Sequence, residues 1–341
     1  MQKVINNLLI ALIAFNVFFV SLGALFYPLA SIDAVSIWLL KAKAFYLANG
    51  LPVEILKDKF FLYTHPQYPL LLPFIYYVFY LALGTINENA VSFLNPLAYL
   101  LIIIIAYKLL KKMKFTTTMS LLFTYIYSMF SPLLAQGGRG HAGDADIFIV
   151  LINWLAISLS FDFFKNKSYK ILCILIALIM ISSQIKGEGI FLTSIILFLP
   201  LTKKEKFFSI AVSLLPFLAW RGIIAYYQIP NDFYFIIPGL NEAVLRIFDI
   251  FYYTLLEMIK INNWYIFWPV FLLFIISKKN KSQFIKKFIL PSFLLICFLF
   301  FTFYLFVSVS PKIYVPPSID RILIQVSPFY FLVFAEIGSL M

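Results

Sequence analysis

Apolar runs of roughly bilayer length recur along the whole chain, separated by lysine clusters or by short turns of Gly, Pro and acidic residues. Ten of them fall at approximately 4–27, 88–110, 117–134, 146–164, 170–184, 190–202, 206–228, 263–277, 288–310 and 321–338. The pattern predicts an all-α polytopic membrane protein with about ten transmembrane helices. Counting "YPLLLPFIYYVFYLALG", Tyr68 to Gly84, would make eleven. The first run is long and lacks a small-residue cleavage pattern, which predicts a retained helix and not a signal peptide.

Lysines set the expected orientation. Lys108/Lys111/Lys112/Lys114, Lys165/Lys167/Lys170, Lys203/Lys204/Lys206 and Lys278/Lys279/Lys281/Lys286/Lys287 all fall cytoplasmic if ten runs cross. An eleventh crossing at Tyr68–Gly84 would put Lys111, Lys112 and Lys114 outside. That segment, with two prolines in its first turns, is therefore expected to lie on or dip into the outer leaflet. The chain reads as a single domain, 1–341, with an outer loop at 28–87 that carries interfacial helices and a second at 229–262. No internal repeat of fixed period is visible.

Composition agrees: 63% of residues are hydrophobic and only 12% charged, against about 25% charged in a soluble domain. The net charge of +12 is accounted for by the lysine loops, so it points to no nucleic-acid partner. Cys173 and Cys297 both lie inside apolar runs, and no disulfide is expected.

The threading places twelve of the fifteen acids, all but Asp162, Glu205 and Glu336, on or near the outer side, with both histidines. Charge near a membrane edge is costly unless solvated, paired or functional. Four stretches concentrate it. In "SIDAVSIWLLKAKAFYLANG", Asp33 precedes a segment that suits an interfacial helix with lysines snorkelling to water; Asp33 is then either its N-cap or a working acid. "THPQYPLLLP" holds His65, a ligand, a phosphate donor or a plain interfacial residue. "GGRGHAGDADIF" brings Arg139, His141, Asp144 and Asp146 within ten residues; the two aspartates can share a divalent ion, hold a substrate, or favour the helix N-terminus. "QIKGEGIFL" sets Lys186 and Glu188 among glycines; the lysine suits a phosphate as a compact charge, or pairs with an acid. Asp320 and Arg321 mark the mouth of the last run, and Arg221 sits inside the seventh, in need of an anionic partner. No P-loop, dinucleotide fingerprint, HExxH, CxxC or Ser-His-Asp order appears.

Taken in order, "SIDAVSIWLLKAKAFY", "HPQYPLLLP", "GRGHAGDADIF", "KGEG" and "DRILIQVSP" resemble the C-type integral-membrane glycosyltransferases, the family 39-related branch above all. That branch includes protein O-mannosyltransferases, lipid A aminoarabinose transferases and transferases of lipopolysaccharide core. The resemblance implies a sugar moved from a polyprenyl-phosphate donor to an acceptor hydroxyl on a glycan, lipid or protein, at the outer face of the cytoplasmic membrane and with inversion. It implies Asp33 as the catalytic base, although the family's second acid is Ala34 here. Asp146 matches the aspartate heading the following helix, and Lys186 the lysine of the turn. Lys186, Arg321, Arg139 and Arg221 are the expected phosphate clamp. Asp144, Asp146, His65, His141 and Glu188 are expected near substrate, with a divalent ion at Asp144/Asp146 left open. A flippase or a polysaccharide polymerase or ligase is the alternative; the first favours paired charges at mid-helix and the second a strongly cationic outer loop.

Overall fold

The computed structural model describes residues 1–138, 140–265, 267–276 and 282–338. These are helical almost throughout, with one isolated bridge joining Phe235 to Val307. In chain order the helices that matter here are α1 (Gln2–Phe26), α2 (Leu40–Leu47), α3 (Leu71–Leu83), α4 (Leu94–Lys112), α5 (Thr117–Ser128), α6 (Ser131–Gly137), α7 (Asp146–Asn166), α8 (Tyr169–Ile185), α9 (Lys203–Tyr227), α10 (Leu240–Met258), α11 (Phe267–Ile276), α12 (Leu290–Phe306), α13 (Ile319–Gln325) and α14 (Ser327–Gly338).

Among the described residues, five helical stretches are long and apolar enough to cross a membrane: Gln2–Phe26, Glu88–Lys112, Asp146–Asn166, Lys203–Tyr226 and Ile285–Phe306. A sixth exists if α5 and α6, bent by 72°, count as one broken span. The other expected crossings are shorter or interrupted, each for a local reason. Pro132 in the first turn of α6 has no N–H to continue the ladder of α5. Pro328 does the same between α13 and α14. The run at 190–202 is wound as a tight helix of about three residues per turn, Gly187–Phe198, and α8 beside it has 17 residues. α3 has 13 residues, about 20 Å at 1.5 Å per residue, against a hydrocarbon core of about 30 Å.

Packing follows from the few polar side chains each apolar helix keeps. α1 turns Asn16 toward α5, where its amide donates to Ser128 Oγ at 2.9 Å. Thr118 donates to Asn6 Oδ1 at 2.8 Å on the same seam. Phe15, Phe18 and Phe19 of α1 are exposed, as suits a helix face turned to lipid. α7 runs through the middle: Trp154 Nε1 donates to Tyr127 Oη at 3.0 Å, and Asn153 to the Gln325 carbonyl at 2.7 Å. Around Tyr127 and Trp154 an aromatic core of Phe130, Trp264, Phe267 and Phe331 locks α5, α6, α11 and α14 together. α10 inverts the usual surface pattern, with Leu245, Phe248, Tyr252 and Leu255 outward while Arg246 and Glu257 point in. Arg246 donates to the Val307 carbonyl at 2.8 Å, and Glu257 accepts from Asn263 at 2.6 Å and Trp264 at 3.1 Å.

Gly137 and Gly138 of "GGRG" serve packing. A Cβ on Gly138 would meet the Val20 carbonyl oxygen at 2.3 Å, and one on Gly137 would meet Val20 Cγ1 at 2.8 Å. The loop after α6 thus lies directly on the backbone of α1. Gly138→Ala is expected to force these elements apart and destabilise by about 1–3 kcal/mol, seen as a lower thermal unfolding midpoint of the detergent-solubilised protein; an unchanged midpoint would contradict that close approach.

Candidate functional site

Four helix ends converge at one end of the bundle. Asp33 stands just after α1, Asp146 is the first residue of α7, Lys186 follows the last residue of α8, and Arg321 is in the first turn of α13. Arg321 joins them. It donates from Nε to Asp146 Oδ2 at 2.6 Å and from Nη1 to Asp33 Oδ2. The second oxygen of Asp146 accepts from Lys186 Nζ at 2.9 Å and from Gln325 Nε2 at 2.6 Å. Lys186 also lies 3.5 Å from Glu188. Asp146 is fully buried, which is tolerable because both its oxygens are met by cations and an amide.

The exposure of the members differs, and so does what each can do. Asp146 and Lys186 are enclosed, whereas the side chain of Asp33 is 30% exposed and that of Arg321 17%. Arg321 Nη2 has no hydrogen-bond partner among the described residues. A proton acceptor and an unfilled guanidinium donor therefore sit side by side at the rim, over a neutralised base.

Asp33 does not cap the segment that follows it. That role falls to Ser31, whose Oγ accepts from Ala34 N at 3.3 Å, leaving the Asp33 carboxylate for Arg321. The following turns are wide, with four to five residues per turn over Ala34–Leu39, before α2 resumes ordinary geometry. Lys43 pairs with Glu88, and the expectation of lysines snorkelling to water fails for Lys41. Lys41 is buried and donates to the His65 carbonyl at 2.8 Å because α3 and the 64–68 loop cover it; that burial lowers its ammonium to about 7.

Asp144 and Asp146 face different partners. Asp144, also buried, accepts from Ser31 Oγ at 2.8 and 2.9 Å and pairs with His141 Nδ1 at 3.1 Å. Among the described residues no three His, Cys, Asp or Glu side chains converge as a metal site, and the oxygens of Asp146 are already taken. The backbone beneath is held by Tyr76, which donates to the Gly143 carbonyl at 3.1 Å, with Gly143 at φ +93°. In the "KGEG" turn, Gly189 is required by a close approach to the end of α8. A Cβ there would meet the Ser182 carbonyl oxygen at 2.2 Å, so that glycine serves the turn itself.

His65 belongs to a second cluster. At φ +49° it pairs through Nδ1 with Asp232 at 2.5 Å, between the rings of Tyr68 and Phe233. Gln67 also donates to Asp232, and Trp220 Nε1 donates to the Gln67 carbonyl at 2.8 Å. The two long loops are thus tied to each other, with Tyr68 between this cluster and the charges around Arg321. Arg221 is exposed on α9 and makes no ion pair among the described residues; Arg139 lies outside them.

Comparison with protein families, curated proteins and solved structures finds no match to this chain.

Tyr68, Gln325 and Ser31 were not singled out from sequence. Gln325 had a signal, being four residues after Arg321 on one helical face; a hydroxyl such as Ser31 has none.

Two outcomes are expected. Arg321→Ala leaves Asp146 under-compensated and costs about 3–5 kcal/mol, while Arg321→Ala/Asp146→Asn recovers much of it; equal unfolding midpoints for the single and double variants would dissolve the proposed coupling. The hydrogen bond to Asp144 raises His141, and burial raises Asp144, so the folded loop holds protons that the unfolded chain releases. The His141 contribution is complete below its unfolded value of about 6.5 and fades as pH rises through the higher folded value. Unfolding midpoints measured from pH 6 to 8.5 should fall more for the native chain than for His141→Gln; parallel curves would remove the pair from the account.

Proposed function

We propose that the chain is a membrane glycosyltransferase that moves a sugar from a polyprenyl-phosphate-linked donor to an acceptor hydroxyl. The observation that carries this reading is the junction at Arg321, where four segments far apart in the chain meet: the aspartate after α1, the aspartate heading α7, the lysine of the "KGEG" turn and the late arginine. These are the elements whose order along the chain resembles the C-type transferases. Every charged member stands at a helix end and none at mid-helix, which favours chemistry at a membrane edge over permeation through the bundle.

In this reading the end carrying Arg321 faces the outer side of the cytoplasmic membrane, and the shorter helices complete about ten crossings by packing against the long ones. Asp33 takes the proton of the acceptor hydroxyl as its oxygen attacks the anomeric carbon. The bond from that carbon to the phosphate oxygen breaks, and the leaving polyprenyl phosphate carries off the electron pair. A phosphate leaving group needs no general acid; Arg321, with Lys186 behind it, offsets its charge. Asp146 holds both cations in place and does no proton transfer.

Purified protein incubated with a panel of radiolabelled polyprenyl-phosphate sugars should bind one of them and release or transfer its sugar. Asp33→Asn is expected to keep binding and lose about 10²–10⁴-fold in rate; full turnover by that variant would sink the base assignment. Lys186→Ala is expected to weaken donor binding. Movement of the intact lipid-linked sugar across vesicle bilayers, without any transfer, would replace the enzyme by a flippase.

A further inference from the structure

The opposite end of the bundle holds a second polar feature that the transferase reading does not use. The C-terminus of α4, the turn after it, the far end of α7 and the segment that begins at Ser282 enclose a cavity of about 390 Å³. Its positive charge comes from Lys112, Lys114 and Lys165, Glu336 adds a carboxylate to the lining, and Phe115, Phe161 and Phe284 form much of its wall.

Two carboxylates, Asp162 and Glu336, stand against these three lysines, which leaves one positive charge in excess among the described residues. Asp162 pairs with Lys112 at 2.6 Å, and Glu336 accepts from the Ser282 N–H at 2.7 Å. Lys165 holds its ammonium 4.2 Å from the centre of the Phe161 ring, and neither it nor Lys114 has a carboxylate within ion-pair distance among the described residues. Lys114 is kept there by backbone geometry. It occupies the left-handed region at φ +71°, its N–H donating to the Lys111 carbonyl at 3.0 Å, while the Phe115 N–H returns to the Leu110 carbonyl at 3.2 Å. Few non-glycine residues adopt that conformation, and here it closes α4 and leaves the lysine at the cavity's rim.

Two ammonium groups without an ion-pair partner among the described residues, and one net positive charge, sit above an aromatic wall at the ends of membrane-length helices and match an amphiphile whose head carries a single phosphodiester charge. A compact ammonium suits phosphate oxygens, and basic pockets between helices at a membrane surface recognise lipid headgroups by this combination. We propose that this cavity binds the phosphate headgroup of an anionic membrane phospholipid, with the glycerol and first methylenes against Phe115, Phe161 and Phe284. The aromatic wall favours a lipid over a free phosphate. The inference is independent of the transferase reading.

The test is native mass spectrometry of the purified full chain with dioleoylphosphatidylglycerol and dioleoylphosphatidylcholine. The native chain retains the anionic lipid preferentially. Lys114→Ala/Lys165→Ala lowers that retention about 30-fold, at roughly fivefold per lysine near a membrane surface, without changing phosphatidylcholine. Both side chains are exposed, so the fold survives, and Lys114→Gln/Lys165→Gln repeats the result. Lys203→Ala/Lys204→Ala, on α9, leaves retention unaltered. Equal retention of the two lipids, indifference to the paired substitution, or an equal loss in the α9 control overturns the proposal. Displacement by glycerol 3-phosphate alone also overturns it, by assigning the cavity to a soluble phosphate.

Discussion

A fully buried carboxylate has to be compensated, and the arrangement at one end of this bundle follows from how Asp146 is. Its two oxygens require several donors, and these arrive from two directions: Lys186 from the end of α8, and Arg321 and Gln325 from one face of α13. An interior anion is worth little as net stability, because desolvation offsets most of the attraction, but it is exacting about geometry. Helices that could otherwise slide past each other on apolar faces are held to one register. The same demand draws Arg321 inward, and with it Nη1, which reaches Asp33 at the rim.

The apolar background explains why few polar contacts do so much. In lipid, helices gain little from burying one apolar face against another, so small side chains, aromatic packing and isolated hydrogen bonds select the partners. Gly138 on α1, Asn16 on α5 and Trp154 on Tyr127 are three such selectors, and each fixes a neighbour of α7. The loops are handled likewise, through His65, Gln67 and Asp232, so that the two long connections form one surface beside the Arg321 cluster.

Much of the site was legible because a chain with 12% charged residues has few places to put them. Asp33, Asp146, Lys186 and Arg321 stood out as charges at the edges of apolar runs, and they meet. Their pairing was not legible. Two aspartates one residue apart suggested a shared ion, yet Asp146 begins a helix while Asp144 lies in the preceding loop, so they point to separate partners. Gly138 and Gly189 answer to neighbouring backbone oxygens, contacts that no local sequence pattern displays. The number of long helices was also beyond reach of hydropathy. Pro132 and Pro328 break runs that remain apolar throughout, and the Gly187–Phe198 turns wind tightly without any change in polarity.

The separations along the chain impose an order on biogenesis. Asp146 and Lys186 are 40 residues apart and can meet as soon as the hairpin of α7 and α8 has entered the bilayer. Arg321 is 175 residues from Asp146 and 288 from Asp33, so the guanidinium arrives only after both aspartates and everything between them and it have left the ribosome. Until then α1 carries its aspartate unpaired, and the N-terminal half is an incomplete shell. The late arginine is thus a closing pin: a chain in which it has not yet docked holds Asp33 and Asp146 without their shared guanidinium.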